Sequence, residues 1–236
     1  MAARTPTAKT SGHFTPELFR FLKALARNND RDWFQANKAR YEDHVRGPFL
    51  HFIADFGVRL ERFAPHLVAD PRPSGGSLFR IHRDTRFAKD KSPYKTHAGA
   101  QFRHGAGKDV HAPGFYLHLG TGGVMAGAGI WHPDGPALKR IREAIVADPG
   151  RWKKIFAGKA MRELGPLKVE SLKRPPRGFD PEHAFVEDLK RKDFYTMVEL
   201  KPADACEPDF LNRYVKLSRA AKPLMAFLCE ALELEW

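Results

Sequence analysis

Residues 110–133 read V-H-A-P-G-F-Y-L-H-L-G-T-G-G-V-M-A-G-A-G-I-W-H-P and contain no Asp, Glu, Lys or Arg. A membrane-spanning helix needs about 20 consecutive apolar residues, but glycines, prolines and histidines interrupt this stretch throughout. Apolar and aromatic residues instead form two short runs on either side of a glycine-rich centre. The stretch therefore predicts two buried strands, residues 115–119 and 124–131, joined by a tight turn.

The glycines of residues 120–129 do not have the spacing of a nucleotide-binding loop. They fit neither G-x-G-x-x-G nor G-x-x-x-x-G-K-[ST], and the segment leads into a strand rather than a helix. A hairpin turn is the preferred interpretation. The small residues 126–129 leave a second one open, in which a ligand or a neighbouring element approaches the sheet closely.

The chain on both sides of this stretch supplies further elements. Residues 96–103 and 194–200 have strand character, and residues 78–86 alternate regularly, with Phe79 and Ile81 on one side. Apolar residues at helical spacing predict helices that begin near Thr15, Pro48, Pro136 and Pro208.

Helices, then strands close together in sequence, then helices again indicate an α+β fold. We expect a mainly antiparallel sheet in the middle of the chain, flanked by N-terminal and C-terminal helices. Residues 1–12 are expected to form a disordered tail, and residues 13–236 a single α+β domain.

The composition is that of a basic globular protein. Among 236 residues, 40 Lys and Arg face 28 Asp and Glu, which gives a formal net charge of +12. The apolar content of 42% excludes a disordered chain, and two cysteines cannot build a disulfide framework. The N-terminus has no apolar run of the kind a signal peptide needs. We expect a cytoplasmic protein without a membrane partner.

The densest polar segment is F-R-I-H-R-D-T-R-F-A-K-D-K-S-P-Y-K-T, residues 79–96, in which six cations face two carboxylates. Burying an unpaired guanidinium costs several kcal/mol, so the arginines need anionic partners. The planar guanidinium fork suits a phosphate or carboxylate. We predict a pocket in which Arg80, Arg83 and Arg86 bind a small phosphate- or carboxylate-bearing ligand.

Other residues of this segment complete the predicted site. Lys91, Tyr94 and Lys95 would close it from the following loop, and Asp84 would orient the arginines. If the protein is an enzyme, Asp84 or His82 would act as general base beside the arginines. The alternative is an internal salt-bridge network that fixes the strand against the following loop.

The same segment carries a resemblance to a known family. F-R-I-H-R-D-T-R-F followed by D-K-S-P-Y-K-T resembles the signature of an uncharacterised bacterial and fungal family, domain of unknown function two-four-six-one. F-L-K-A-L-A-R-N-N-D-R-D-W-F at residues 21–34, G-F-Y-L-H-L at 114–119 and R-P-P-R-G-F-D-P-E-H at 174–183 extend the similarity. The resemblance implies a shared domain and polar segment, but it assigns no catalytic residue and no cofactor.

The eleven histidines do not predict a metal site. There is no H-E-x-x-H, and nearby arginines would repel a divalent cation. If a metal were bound, His82, Asp84 and His118 would be the first ligands to suspect.

Residues 137–178 form a second basic region, with twelve cations against four acids. Part of it could form an exposed stripe that follows phosphates, so a nucleic-acid-binding module is the alternative function. The stripe would contain Lys139, Arg140, Arg142, Arg151, Lys153 and Lys154. A homodimer through the uncharged residues 110–133 is a further interpretation.

Overall fold

A computed structural model describes residues 12–106, 112–168 and 170–236. Its four strands are β1 (His97–Arg103), β2 (Gly114–Gly120), β3 (Gly123–Ile130) and β4 (Phe194–Leu200). They form one antiparallel sheet in the order β1-β2-β3-β4. The predicted α+β class is confirmed. The predicted tail lies outside the described residues apart from Gly12.

Helices precede the sheet, connect β3 to β4, and follow β4. The first group is α1 (Pro16–Arg27), α2 (Arg31–Ala36), α3 (Lys38–Tyr41) and α4 (Gly47–Leu60). The second group is α5 (Gly135–Ala147), α6 (Pro149–Ala157), α7 (Lys159–Glu163) and α8 (Val186–Leu189), and the third is α9 (Pro202–Ala205), α10 (Phe210–Ala220) and α11 (Lys222–Ala231). No helix among the described residues is long and apolar enough to cross a membrane.

A π-helical turn, Glu42–Arg46, joins α3 to α4. Pro48 has no N–H and fits the first turn of α4, where that donor is not needed. The Gly47 N–H donates across the wider turn to the Glu42 carbonyl. The inserted turn places Arg46 at the junction of two helices, a position that matters for the site described below.

One face of the sheet is buried against the helices. Phe56 of α4 packs on Phe102 of β1 with ring centroids 4.6 Å apart, and on Tyr214 of α10 at 4.8 Å. Because side chains alternate along a strand, the neighbours of Phe102 lie on the opposite face. We call that opposite side the open face. Its partly exposed side chains include Gln101, Arg103, Tyr116, His118, Met125, Tyr195 and Met197.

Residues 77–79 pair with the edge of β1, and residues 81–83 pair with residues 93–95 just before it, instead of forming the regular strand that was predicted for 78–86. Leu78 bridges Ala100 and His82 bridges Tyr94, and these are isolated bridges with no regular strand between them. The predicted alternation is wrong because residues 79–81 do not keep the pleat of a strand. Ile81 is 6% exposed and Phe79 37% exposed, although the pattern placed them on the same side.

The β3–β4 pairing generates a first prediction, the replacement Gly129→Ala. Gly129 has φ +133°, and a Cβ there would lie 2.1 Å from the Phe194 carbonyl oxygen. We expect a loss of at least about 2 kcal/mol in the free energy of unfolding, measured by urea denaturation. Gly122→Ala is the matched control, because its Cβ would meet no atom within 4 Å. Equal stability of the two variants would contradict the described β3–β4 register.

Candidate functional site

Two of the three arginines predicted to bind an anion pair with acids of their own segment. Arg86 Nη2 lies 2.7 Å from Asp84 Oδ2, and Arg86 Nε donates to Asp84 Oδ1 at 3.0 Å. Arg83 Nη1 donates to Asp90, whose other oxygen accepts from the Ser92 N–H and hydroxyl. These contacts have the form of the internal network considered as the alternative, and they are largely exposed.

The pairing with Arg86 affects the chemistry available to Asp84. Hydrogen bonds from Arg86 lower the pKa of Asp84 to about 2, with a smaller contribution from the charge of Arg80. A carboxylate with so low a pKa is a weak base at neutral pH. This environment therefore favours an orienting role for Asp84 over proton abstraction.

The other residues of the predicted site have separate surroundings. Lys91 Nζ donates to the Thr85 carbonyl at 3.0 Å. The buried Tyr94 ring stacks on Phe34 with centroids 4.1 Å apart, and the His82 ring lies 5.2 Å from Tyr94. Tyr94 is thus part of the hydrophobic core.

Arg80 lines a cleft with a volume of about 590 Å³, together with three arginines that the sequence did not single out. We call it the arginine cleft, because Arg46, Arg72, Arg80 and Arg103 are among the residues that line it. Arg46 ends the π-helical turn, Arg72 lies in the loop after α4, and Arg103 is the last residue of β1. Four distant parts of the chain therefore bring cations to one concave surface.

The charge of the arginine cleft is only partly balanced. Arg46 Nη1 lies 2.7 Å from Glu42 Oε1, and Arg72 Nη2 lies 2.6 Å from Asp70 Oδ2. Arg80 makes no ion pair within the part of the chain that the structure describes. Among the described residues, four cations of the cleft thus face two carboxylates, which leaves a positive balance.

The loop of residues 70–77 forms one wall of the arginine cleft. Asp70 and Ser77 close it, since the Ser77 N–H donates to the Asp70 carbonyl at 2.8 Å and the Asp70 N–H to the Ser77 hydroxyl at 2.9 Å. A Cβ on Gly76 would lie 2.5 Å from the Asp70 carbonyl oxygen, so the turn requires glycine. The wall is thereby held in one conformation.

Two buried polar side chains line the same cleft. Burial raises the pKa of Tyr41 to about 12, so its hydroxyl remains a hydrogen-bond donor at neutral pH. The His104 Nδ1 accepts from the Ala106 N–H at 3.1 Å, which leaves Nε2 to donate to the Glu235 carbonyl at 2.8 Å. These contacts tie the chain's C-terminal end to the cleft.

A second cleft, of about 480 Å³, holds three other residues of the predicted site: Arg83, Tyr94 and Lys95. Lys95 Nζ donates to the Arg80 carbonyl at 2.9 Å, and burial together with the charge of Arg80 lowers the pKa of Lys95. The predicted set is thus divided between two clefts. His82, Asp84, Arg86 and Lys91 line neither of them.

The histidine suspected as a metal ligand packs on another histidine. The His118 and His97 rings stack with centroids 4.4 Å apart, and His118 Nδ1 lies 3.1 Å from the Tyr116 hydroxyl. Burial, with the nearby His97, lowers the pKa of His118 to about 4. Within residues 12–106, 112–168 and 170–236, no group of three or more His, Cys, Asp or Glu could hold a metal ion.

The basic region of residues 137–178 does not present all of the predicted stripe. Arg142 is buried and donates to the Arg191 carbonyl at 2.9 Å, so its assignment to an exposed stripe is wrong. Arg140 Nη1 lies 3.1 Å from Glu233 Oε2, and Arg151 Nη2 lies 2.7 Å from Glu230 Oε2. Acids near the C-terminus thus balance part of this charge.

Sequence reasoning missed Arg46, Arg72 and Arg103 because no motif connects them. The Ser-Gly-Gly turn at residues 74–76 was the one local signal, since it marks a tight loop beside a charged segment.

The profile of a known family matches residues 17–227, nearly nine tenths of the chain and both clefts. The chain belongs to the family described as "Conserved hypothetical protein (DUF2461)". This confirms the family to which the sequence was predicted to belong. Searches of curated proteins and of solved structures find no match.

The pairing within the segment generates a second prediction, on the titration of Asp84. Its pKa in the folded protein is about 2, below the ordinary value of 3.8. A carboxylate with a lowered pKa stabilises the fold above its unfolded-state pKa, and this contribution is lost as pH falls through about 2. Carbon-detected NMR titration should report this value. Arg86→Gln should return the pKa of Asp84 towards 3.8, whereas an unchanged value would contradict the described pair.

Proposed function

We propose that the protein binds a small phosphate- or carboxylate-bearing ligand in the arginine cleft. The observation that supports this is the convergence of Arg46, Arg72, Arg80 and Arg103 on one concave surface of about 590 Å³. A volume of this size is typical of small-molecule sites. Arg80 was predicted from the sequence to bind the anion, and it also lines the arginine cleft.

The energetics of converging cations support an anionic occupant. Guanidinium groups that face one cleft repel one another, and Glu42 and Asp70 offset only part of that charge. A bound phosphate or carboxylate removes the remaining repulsion and accepts charge-assisted hydrogen bonds from several forks at once. The neutral Tyr41 hydroxyl offers a further donor.

Arg83 and Arg86 take a different part in this proposal. Their guanidinium groups already pair with Asp90 and Asp84, so an anion would have to compete with those carboxylates. We therefore propose that they hold the segment in shape while Arg80 contacts the ligand. The roles predicted for Asp84 and His82 as general bases stay predictions, and the proposal is one of binding.

The test is isothermal titration calorimetry with inorganic phosphate and citrate at two salt concentrations. We expect at least one of them to bind the wild-type protein. Arg103→Ala and Arg80→Ala should each weaken that binding about tenfold or more, equivalent to about 1.4 kcal/mol for a charge-assisted hydrogen bond.

Matched controls separate the cleft from net charge. Arg59→Ala removes the same charge from an exposed position of α4 and should leave the affinity unchanged. Arg86→Ala removes a charge from the signature segment outside the cleft and should weaken binding less than Arg103→Ala does, because Arg86 acts only through the shape of the segment. If Arg86→Ala abolishes binding and Arg103→Ala does not, the anion site lies in the segment instead. Binding of short oligonucleotides alone, lost in salt, would support the nucleic-acid alternative.

A further inference from the structure

The open face of the sheet contains a groove of about 280 Å³ that adjoins the arginine cleft. Phe79 and Gln101 line both spaces. The groove is otherwise apolar and aromatic, with walls formed by Tyr116, Trp131, Tyr195 and Met197. A molecule with one charged and one apolar end could therefore occupy both spaces at once.

The floor of the groove has no side chains. In one row across the four strands, Arg103 pairs with Gly114, Gly114 with Gly129, and Gly129 with Tyr195. The two central positions are glycines, so bare backbone separates an arginine from a tyrosine. At 4.7–4.9 Å per strand this separation is roughly 14 Å.

The neighbouring row has a glycine at one of its two central positions. Gln101 pairs with Tyr116, Tyr116 with Gly127, and Gly127 with Met197. Gly114 and Gly129 have local reasons to be glycine, since a Cβ would lie within 3 Å of neighbouring backbone. Gly127 has no such reason: a Cβ there would meet its nearest neighbours, in Met197 and Thr196, only at 3.4 Å. The absence of a side chain at Gly127 therefore leaves the groove open, although the packing of the backbone around it does not require glycine.

The walls of the groove are suited to a flat ring. Trp131 is 59% exposed, which is a large apolar surface to leave in water. The Tyr116 ring lies 6.2 Å from Phe79, and its hydroxyl is held by His118. Aromatic walls over a bare floor favour stacking with a planar group. The Gln101 amide, at the boundary of the two spaces, makes no hydrogen bond within the described chain and offers both donors and an acceptor.

We propose that the ligand of the arginine cleft is an aromatic phosphate of the size of a nucleoside monophosphate, with its ring in the glycine-floored groove. This rests on the proposed function, because the phosphate would occupy the arginine cleft. It goes further in assigning the ring to the open face and in naming Gly127 as the residue that admits it.

The test compares the affinities of matched phosphates by isothermal titration calorimetry. Adenosine monophosphate and cytidine monophosphate are compared with ribose 5-phosphate, and phenyl phosphate with methyl phosphate. We expect at least one aromatic compound to bind about tenfold more tightly than its partner without an aromatic ring, because stacking of a base on aromatic side chains contributes free energy of that size.

Gly127→Val is the deciding variant, because valine suits a strand and its side chain would fill the floor of the groove. It should abolish the preference for the aromatic compound while leaving the affinity for inorganic phosphate unchanged. Gly122→Val, in the hairpin turn, is the matched control and should keep the preference. Circular dichroism of each variant establishes that it is folded.

The outcomes distinguish the two proposals. If inorganic phosphate binds but no aromatic compound exceeds its partner, or if folded Gly127→Val keeps the preference, the inference about the ring is wrong and the anion site stands. If citrate binds the wild-type protein but no phosphate compound does, the inference about an aromatic phosphate is wrong and the anion site stands. If neither citrate nor any phosphate compound binds, the proposed function fails and the combined site fails with it. Quenching of tryptophan fluorescence by adenosine monophosphate, absent in Trp131→Phe, would independently support the placement of the ring.

Discussion

The pairing of residues 77–79 with the edge of β1 is the interaction on which both candidate spaces depend. The Phe79 N–H donates to the Gly99 carbonyl at 2.9 Å, and the Gln101 N–H donates to the Ser77 carbonyl at 3.0 Å. These bonds set Phe79 beside the open face and carry Arg80 to the cleft that Arg103 also lines. Without them, the signature segment would be a charged loop with no fixed relation to the sheet.

The arginines of this protein fall into two groups according to where their acids lie in the chain. Arg83 and Arg86 have carboxylates within a few residues, and such local pairs form whatever the distant parts of the chain do. Arg80 and Arg103 are brought towards one another by the sheet edge instead. Local ion pairs at an exposed surface contribute little to the stability of the fold. Cations that line one cleft instead create a positive potential that attracts an anion. Arg46 and Arg72 of the cleft also pair with nearby carboxylates, so the functional proposal depends most on Arg80 and Arg103.

The predictions from sequence succeeded where hydrophobic periodicity was not disturbed by distant pairing. Residues 110–133 predicted two strands and a glycine turn, and β2 and β3 pair through Gly120 and Gly123 as expected. A helix predicted to begin near Pro48 does so, and it continues directly from the π-helical turn because the first turn of a helix does not need the N–H that Pro48 lacks. Alternation failed between Leu78 and His82 because residues 79–81 lie between two isolated bridges and form no regular strand.

By itself, the sequence determined the α+β class, the four strands of the sheet and the family. Those features depend on neighbours in the chain, such as apolar spacing, glycine turns and ordered motifs. Only the tertiary structure decided that Arg80 joins Arg46, Arg72 and Arg103 around one cleft, and that Gly114, Gly127 and Gly129 lie together on the open face. Both arrangements depend on which residues lie side by side across strands and loops. The packing of the buried face determines this, because it fixes the register of the strands.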